Sequence, residues 1–200
     1  AASNSAVIRK HLDKNDKVFH GDIFGSPFFI LKDAENVPDT TMNEIAHATV
    51  CFSRAWREAL YGVSAYWVLP DQVKKSAPSG EFLPKGSFTI EGQRNFIKSE
   101  TLKLAVGIIQ LEDNDHVLTC GPPEAIKKNS ICYAIIEPNG LEMAECAKKI
   151  RLEFLKIFED ITRKINVDEF VRALPAGKSQ IKEISLGDLE KGKFIDNELD

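Results

Sequence analysis

Apolar and polar residues alternate over residues 18–24, and a short apolar run at 28–32 follows a turn of glycine, serine and proline. Two such segments around a tight turn are typical of a β-hairpin. Further along, an aromatic strand at 65–68 and a second strand at 86–91 enclose the turn Ala77-Pro78-Ser79-Gly80. The first half of the chain is therefore predicted to build a sheet whose loops present polar side chains.

One long amphipathic helix is predicted over residues 41–60. Thr41 and Glu44 have the spacing of a capping box at its start, and Gly62 follows its end. Its apolar residues recur at steps of three and four, which places them on one helical face. They are Met42, Ile45, Thr49, Phe52, Trp56 and Leu60. This face requires an apolar partner, so we expect the helix to pack on the sheet.

The character of the chain changes near residue 110, after a long apolar strand at 102–111. Beyond it we predict strands at 116–120, 130–136 and 180–184, helices at 141–165 and 167–174, and a charged tail that frays after Gly187. The long helix is expected to start at Asn139-Gly140. The whole pattern predicts an α+β fold, with a mixed β-sheet packed by a long helix and a smaller α/β C-terminal part. We place the domains at 1–109 and 110–200.

Composition limits the classes of function. The chain is 43% hydrophobic and 28% charged, with a net charge of −4 that comes mainly from the acidic second half. It is therefore not a basic nucleic-acid binder as a whole, and any such site must be a local patch. No apolar run approaches the roughly 20 residues of a membrane helix, so we expect a cytoplasmic protein without a membrane partner. The chain starts at Ala1 rather than Met, so we expect a fragment of a longer protein.

Polar and basic residues gather in and beside the loops of the aromatic β segment. Lysine and arginine supply charge for phosphates, and glutamine and asparagine hydrogen-bond to base edges or sugars. The candidate RNA-binding residues are Gln72, Lys74, Lys75, Arg94, Asn95 and Lys98. Tyr66 and Trp67 offer stacking faces for unpaired bases, although burial trends favour a core position for Trp67. An ordinary solvated surface explains the same residues equally well.

A metal site is the main alternative from individual residues. His20 and Asp22 lie two apart on a strand, and His47 and Cys51 lie four apart on a helix, so each pair shares a face. Together they would make a metal-binding set. A His–Asp pair that stabilises the hairpin is the favoured interpretation, because nothing brings the two pairs together. We predict no metal, no cofactor and no catalytic residue.

The four cysteines indicate the redox state of the chain. They are Cys51, Cys120, Cys132 and Cys146, and no two of them form a CxxC pair. Isolated cysteines among apolar residues are typical of reduced, buried thiols in a cytosolic protein. A structural zinc site is therefore not expected.

Several ordered motifs resemble those of one family over residues 3–109. They are HGDIFGSP at 20–27, SRAW at 53–56, WVLPDQV at 67–73, APSGEFL at 77–83, GSFTI at 86–90 and Asn95-Phe96. Together they are similar to the R domain of the NFACT proteins, the ribosome-associated quality-control factors. The second half resembles the C-terminal region of archaeal-type members. Gly21 and Gln93-Arg94 depart from the family pattern, and the latter removes one positive charge.

The resemblance implies a non-catalytic domain that binds RNA or the ribosome. Relatives of this kind bind the large ribosomal subunit when it holds a stalled peptidyl-tRNA, and they recruit tRNA for tail addition without a template. The implied partners are tRNA or ribosomal RNA, the large subunit and an N-terminal portion of the same protein. Two alternatives stay open. One is a protein-interaction module that docks on another domain or a ribosomal protein, and the other is a metal-dependent enzyme using His20, Asp22 and His47.

Overall fold

The computed structural model describes residues 2–74, 88–99 and 101–191. The predicted turn at 77–80, Lys75 and the last part of the charged tail lie outside these residues. None of the helices within the described part of the chain is both long and apolar enough to cross a membrane.

The chain divides into two compact units. The first takes residues 1–55 and 61–101, and the second takes residues 56–60 and 102–200. The apolar strand that we placed at the end of the first domain is grouped with the second unit. The domain boundary near residue 110 stays a prediction.

The first unit is a four-stranded antiparallel sheet with helices and a small hairpin. The sheet has the order β2-β1-β3-β6, and β4 pairs with β5 separately. The elements are α1 (Ala2–His11), β1 (Lys17–Gly21), β2 (Phe28–Leu31), α2 (Asp39–Cys51), β3 (Ser64–Val68), β4 (Val73–Lys74), β5 (Thr89–Ile90) and β6 (Asn95–Lys98). The predicted hairpin of the first two strands is confirmed, with Val18 paired with Ile30 and His20 with Phe28.

The register of the sheet decides which side chains share a face. His20 lies opposite Phe28 on β2 and opposite Tyr66 on β3, and Tyr66 lies opposite Phe96 on β6. Directly opposite residues point to the same side of a sheet, so these four side chains share what we call the first face. Their chain neighbours, such as Trp67, point to the second face.

Helix α2 packs on the second face of the sheet, as its apolar pattern predicts. Met42, Ala46 and Val50 are buried along the helix. Immediately after its end, the Phe52 ring lies 6.1 Å from the ring of Phe29 on β2.

The first face is covered at one end by α1 and by the small hairpin. Ile8 of α1 joins Val18 and Val68 in a buried cluster, and Val73 of β4 packs against it. At the other end of the same face, Phe96 is 55% exposed. The sheet therefore presents an aromatic side chain to solvent beside a packed core.

The helix predicted over 41–60 is interrupted, so the prediction of one continuous helix was wrong. α2 ends at Cys51, and a new helix, α3, covers Arg54–Arg57. Ser53 Oγ donates a hydrogen bond to the Val50 carbonyl at 2.6 Å and accepts one from the Ala55 N–H at 3.1 Å. This hydroxyl competes with the helical hydrogen-bond pattern, which ends one helix and starts the next.

The second unit is a second antiparallel sheet, of order β10-β9-β7-β8, packed by helices. Its elements are β7 (Leu104–Gln110), β8 (His116–Gly121), α4 (Pro123–Asn129), β9 (Ser130–Leu141), α5 (Met143–Ile157), α6 (Glu159–Arg163), α7 (Val167–Ala173) and β10 (Ser179–Leu186). The α+β class is confirmed. Every strand pair within the described residues is antiparallel, which corrects the expectation of a mixed sheet.

Three details of the second unit differ from the sequence prediction. Asn139 and Gly140 adopt positive φ angles of 72° and 97° and belong to β9, so the helix begins only at Met143. The helix then ends at Ile157, because Phe158 leaves the helical conformation with φ −135° and ψ 74°. Helix α4 lies between two predicted strands where no helix was predicted, although Pro123 occupies the first helical position, where proline is favoured.

Candidate nucleic-acid interface

Four side chains form a connected cluster at the open end of the first face, which we call the aromatic platform: His20, Tyr66, Arg94 and Phe96. The Tyr66 and Phe96 rings meet edge to face, with centroids 5.5 Å apart, and the His20 ring lies 5.8 Å from Tyr66. The Arg94 guanidinium carbon lies 4.9 Å from the centroid of the Tyr66 ring. This distance is within the range of a cation–π contact.

The members of the platform differ in exposure. Tyr66 is only 5% exposed, since it belongs to the buried cluster of Ile8, Val18 and Val68 and Arg94 lies over its ring. Phe96, in contrast, is 55% exposed. Phe96 is therefore the ring that an incoming planar group reaches first. A single exposed apolar side chain needs no explanation by itself. Here the exposed ring is accompanied by a guanidinium, and that combination stacks unpaired bases in RNA-binding proteins.

Strand β6 places cations on both sides of Phe96. Lys98 lies opposite Ser64, and Phe96 lies opposite Tyr66, so both side chains belong to the first face. Arg94 reaches the same face through its contact with Tyr66. Our list of candidate residues omitted Phe96, although residues 94, 96 and 98 alternate as basic, aromatic, basic, which was the signal available in the sequence.

His20 is a neutral member of the platform near pH 7. Burial lowers the pKa of His20, and the positive charge of Arg94 lowers it further. Backbone hydrogen bonds with Gly21 and Ser26 and the negative charge of Asp22 raise it, but the net pKa is lowered. The Tyr66 hydroxyl lies 3.4 Å from His20 Nδ1. Asp22 follows the end of β1, where its N–H donates to the Ser64 carbonyl at 2.8 Å. His20 therefore belongs to the platform and Asp22 lies beside it, and a structural or binding role for the pair stays a prediction.

Two of the predicted RNA-binding residues are bonded to backbone groups. Gln72 Oε1 accepts from the Leu69 N–H at 2.9 Å, and Gln72 Nε2 donates to the carbonyls of Glu91 and Gln93, both at 2.8 Å. Both hydrogens of that amide nitrogen are thereby used. Asn95 Nδ2 donates to the Trp67 carbonyl at 3.3 Å.

The four predicted cations are divided between two places. Arg94 and Lys98 flank Phe96 on the first face. Lys74 lies on the small hairpin, opposite Thr89, and Lys75 lies outside the described residues. A role in RNA binding stays a prediction for each of the six residues.

The metal-site alternative requires His20 and His47 to lie close together, but the two residues lie on opposite sides of the sheet. His47 lies on α2, which packs on the second face, and its Nδ1 lies 3.0 Å from Ser99 Oγ. Its Nε2 lies 3.5 Å from Cys51 Sγ. His20 belongs to the first face, on the other side of the sheet. Within the described part of the chain, no group of three His, Cys, Asp or Glu residues is placed to hold a metal ion.

The cysteines offer little nucleophilic chemistry. Cys51, Cys132 and Cys146 are buried, and Cys120 is half-buried. Burial raises the pKa of the Cys132 thiol to about 12 and that of the Cys146 thiol to about 11. These two side chains stay protonated at neutral pH, so they are poor nucleophiles.

Comparison with known proteins gives a consistent result for the first unit. A family model described as "NFACT protein RNA binding domain" matches residues 1–92. The platform residues Arg94 and Phe96 lie just beyond this match, in the part of the unit that extends to residue 101.

Curated relatives match over most of the chain. The archaeal Rqc2 homolog aRqcH of Methanocaldococcus jannaschii is 36% identical over 182 residues, which are 90% of this chain and 26% of that protein. The ribosome quality control complex subunit NEMF homolog of Drosophila melanogaster is 30% identical over 172 residues, 84% of this chain and 16% of that protein. The chain thus spans about a quarter or less of the length of these relatives.

One solved structure also matches part of the chain. It is the C-terminal of the fibronectin/fibrinogen-binding protein from Streptococcus suis, with 21% identity and a TM-score of 0.39. The match covers 50% of this chain and 37% of that one.

Proposed function

Since residues 1–92 are an NFACT R domain of the archaeal type, we propose that this chain is a non-catalytic RNA- and ribosome-binding part of a ribosome quality-control factor. Relatives named as an Rqc2 homolog and as ribosome quality control complex subunits support this assignment. Recruitment of tRNA, contact with the large ribosomal subunit and action in the cytoplasm belong to the same proposal.

The observation that carries the proposal is an exposed aromatic ring between two cations on one sheet face. An unpaired base stacks on Phe96, and such stacking tolerates any of the four bases because each has a π-face. Arg94 and Lys98 neutralise the phosphates on either side of that base. Lys74 extends the cationic surface from the small hairpin, and Lys75 follows it in the sequence as a further candidate cation. The surface binds single-stranded segments, since the bases of a duplex are stacked on one another and do not reach a flat sheet.

Replacing Phe96 by alanine tests this assignment. Removal of one stacking side chain is expected to cost roughly 1–3 kcal/mol per stacked base, or about 5- to 150-fold in affinity. The measurement is fluorescence anisotropy of a labelled single-stranded RNA at several salt concentrations, with the full 200-residue chain. The matched control is Leu152→Ala, which removes a side chain that is 58% exposed on α5 of the second unit.

Two outcomes would count against the proposal. Equal affinity of the wild-type chain and Phe96→Ala would remove the stacking role. Absence of RNA binding by the wild-type chain at low salt, with capture of a protein partner that survives nuclease treatment, would favour the protein-interaction alternative.

A further inference from the structure

A second concave site lies on the opposite side of the same sheet, next to the start of α2. This cavity, which we call the Trp67 pocket, has a volume of about 360 Å³ and belongs to the first unit. Its volume is at the small end of the range for ligand pockets, roughly 300–1,000 Å³. Its lining includes Lys17, Asp39, Met42, Asn43, Trp67 and Ile97.

The pocket combines an apolar floor with a polar rim. Trp67 is half-buried and Met42 is 7% exposed, so the floor is aromatic and aliphatic. Asp39 and Asn43 lie one helical turn apart on α2, which makes them neighbours on its surface. Both side chains are exposed, and among the described residues neither the carboxylate nor the amide has a hydrogen-bond or ion-pair partner. The rim therefore offers polar groups that a ligand can use.

Lys17 holds a fixed position over the indole of this pocket. Its Nζ lies 4.9 Å from the centroid of the Trp67 ring and donates to the Ala34 carbonyl at 2.7 Å. An ammonium group has three donors, so two remain for a ligand. The pocket thus presents an acceptor-only carboxylate, a donor-only ammonium and an amide that does both.

We propose that the Trp67 pocket binds a single unpaired guanine base. One edge of guanine carries two adjacent N–H donor groups, a ring N–H and an amino group, together with a carbonyl oxygen. The Asp39 carboxylate is suited to the donors, and Lys17 or Asn43 is suited to the carbonyl oxygen. Adenine has no carbonyl oxygen, and uracil has a single N–H donor between two carbonyls. An aliphatic or phenyl side chain of a protein would fill the floor but would make no hydrogen bond with Asp39 or Asn43.

The pocket is separate from the aromatic platform. Trp67 follows Tyr66 on β3, and Ile97 follows Phe96 on β6, so successive residues place the two sites on opposite faces. The guanine-binding proposal depends on the proposed RNA-binding function in one respect, namely that the base comes from RNA. The two sites can be removed independently by Phe96→Ala and by variants in the pocket.

Titration with the four nucleoside 5′-monophosphates tests the pocket directly, using tryptophan fluorescence of the full chain. The chain has two tryptophans, and Trp56 is 1% exposed while Trp67 is half-buried in the pocket. A saturable change with GMP that disappears in Trp67→Phe is expected. Asp39→Asn should weaken GMP roughly tenfold, because it loses a charged bidentate acceptor. Glu44→Gln is the matched control, since it removes an α2 carboxylate that does not line the pocket.

Each outcome of these titrations either supports or overturns the guanine-binding proposal. A GMP response that Asp39→Asn reduces and that Glu44→Gln and Phe96→Ala retain supports the pocket, even if the RNA platform proves wrong. Equal responses to all four nucleotides, or none, would overturn it. Displacement of GMP by N-acetylphenylalanine amide at a lower concentration than by free guanosine would overturn it in favour of a peptide ligand.

Discussion

Asp16 shows how one buried carboxylate organises the loops before and after the first hairpin. Its side chain is fully buried, and its oxygens accept from Lys32 Nζ at 2.7 Å, from the Asp13 N–H at 2.7 Å and from the Asp33 N–H at 3.2 Å. Burial by itself raises the pKa of Asp16, but these hydrogen bonds and the charge of Lys32 outweigh it, and the net pKa is lowered. The carboxylate is therefore ionised at neutral pH and supports the fold in that form.

Replacing Asp16 by alanine is expected to lower the free energy of unfolding by about 2 kcal/mol at pH 7, because two backbone N–H groups lose their acceptor. Since the folded pKa lies below the unfolded one, this contribution is present above about pH 4 and is lost as the pH falls through the folded pKa. Urea denaturation at pH 7 and at pH 3 measures it. Glu35→Ala is the control, because Glu35 is an exposed carboxylate nearby in the sequence that has no bond to Asp16 or Lys32. A loss of equal size at both pH values would contradict the explanation.

At the scale of single elements, Gln72 connects β4 and β5 by side-chain bonds that strand pairing alone does not provide. Among the described residues, the strands pair over Val73 with Ile90 and Lys74 with Thr89. The Glu91 N–H also donates to the Gln72 carbonyl at 2.9 Å. The side-chain amide of Gln72 adds one bond back to Leu69 and two to the carbonyls of Glu91 and Gln93, which follow β5. A pair of two-residue strands is too short to be stable alone, so this amide is a structural group.

Replacing Gln72 by alanine should therefore speed amide hydrogen exchange at Leu69 about tenfold, since the Leu69 N–H then loses its acceptor. NMR measurements of the Leu69 amide exchange rate in the wild-type chain and in the variant test this expectation directly. Gln93→Ala is the matched control, because the backbone carbonyl of residue 93, and not its side chain, receives the bond. A variant with unchanged exchange but weaker RNA binding would instead support base reading by Gln72.

The pattern of apolar residues predicted the existence of most elements but not where the helices break. Trp56 continues the stripe that starts at Met42, so periodicity extends across the interruption that Ser53 causes. Phe158 continues the apolar spacing of α5 in the same way, although its backbone angles are not helical. A break of this kind depends on a single side chain or backbone angle, and a stripe of hydrophobic residues carries no information about it.

The candidate site was predictable only in part, for a related reason. The sequence identified Arg94 and Lys98 as cations near one strand, and the alternation on β6 puts them beside Phe96. It also proposed Gln72 as a polar contact, whereas the fold uses that amide for the backbone. Contacts between residues distant in sequence decide which hydrogen-bond donors are paired within the folded protein. A local sequence pattern does not predict these contacts.

At the scale of the whole molecule, residues 56–60 belong with a part of the chain that lies far away in sequence. Trp56 is buried, and its Nε1 donates to Ser179 Oγ at 3.1 Å. Ser179 is the first residue of β10 and is fully buried. The sequence prediction assigned Trp56 to the helix of the first domain, because it continues that helix's apolar stripe. A bond across 123 positions of the chain is invisible to such a pattern.

A double-mutant cycle on Trp56 and Ser179 tests whether this hydrogen bond stabilises the second unit. Trp56→Phe leaves the buried Ser179 hydroxyl without its donor, and Ser179→Ala leaves the indole N–H without its acceptor, so each is expected to cost about 1–3 kcal/mol. The double variant removes both partners and should cost less than the two single losses together, because neither buried polar group is then left unsatisfied. The loss of ring volume is common to both backgrounds and cancels in the cycle. Urea denaturation, with hydrogen exchange in β9 and β10 as the local readout, measures the three variants. Strictly additive losses would show that Trp56 contributes by packing alone, and unchanged exchange in β10 would show that it does not stabilise the second unit.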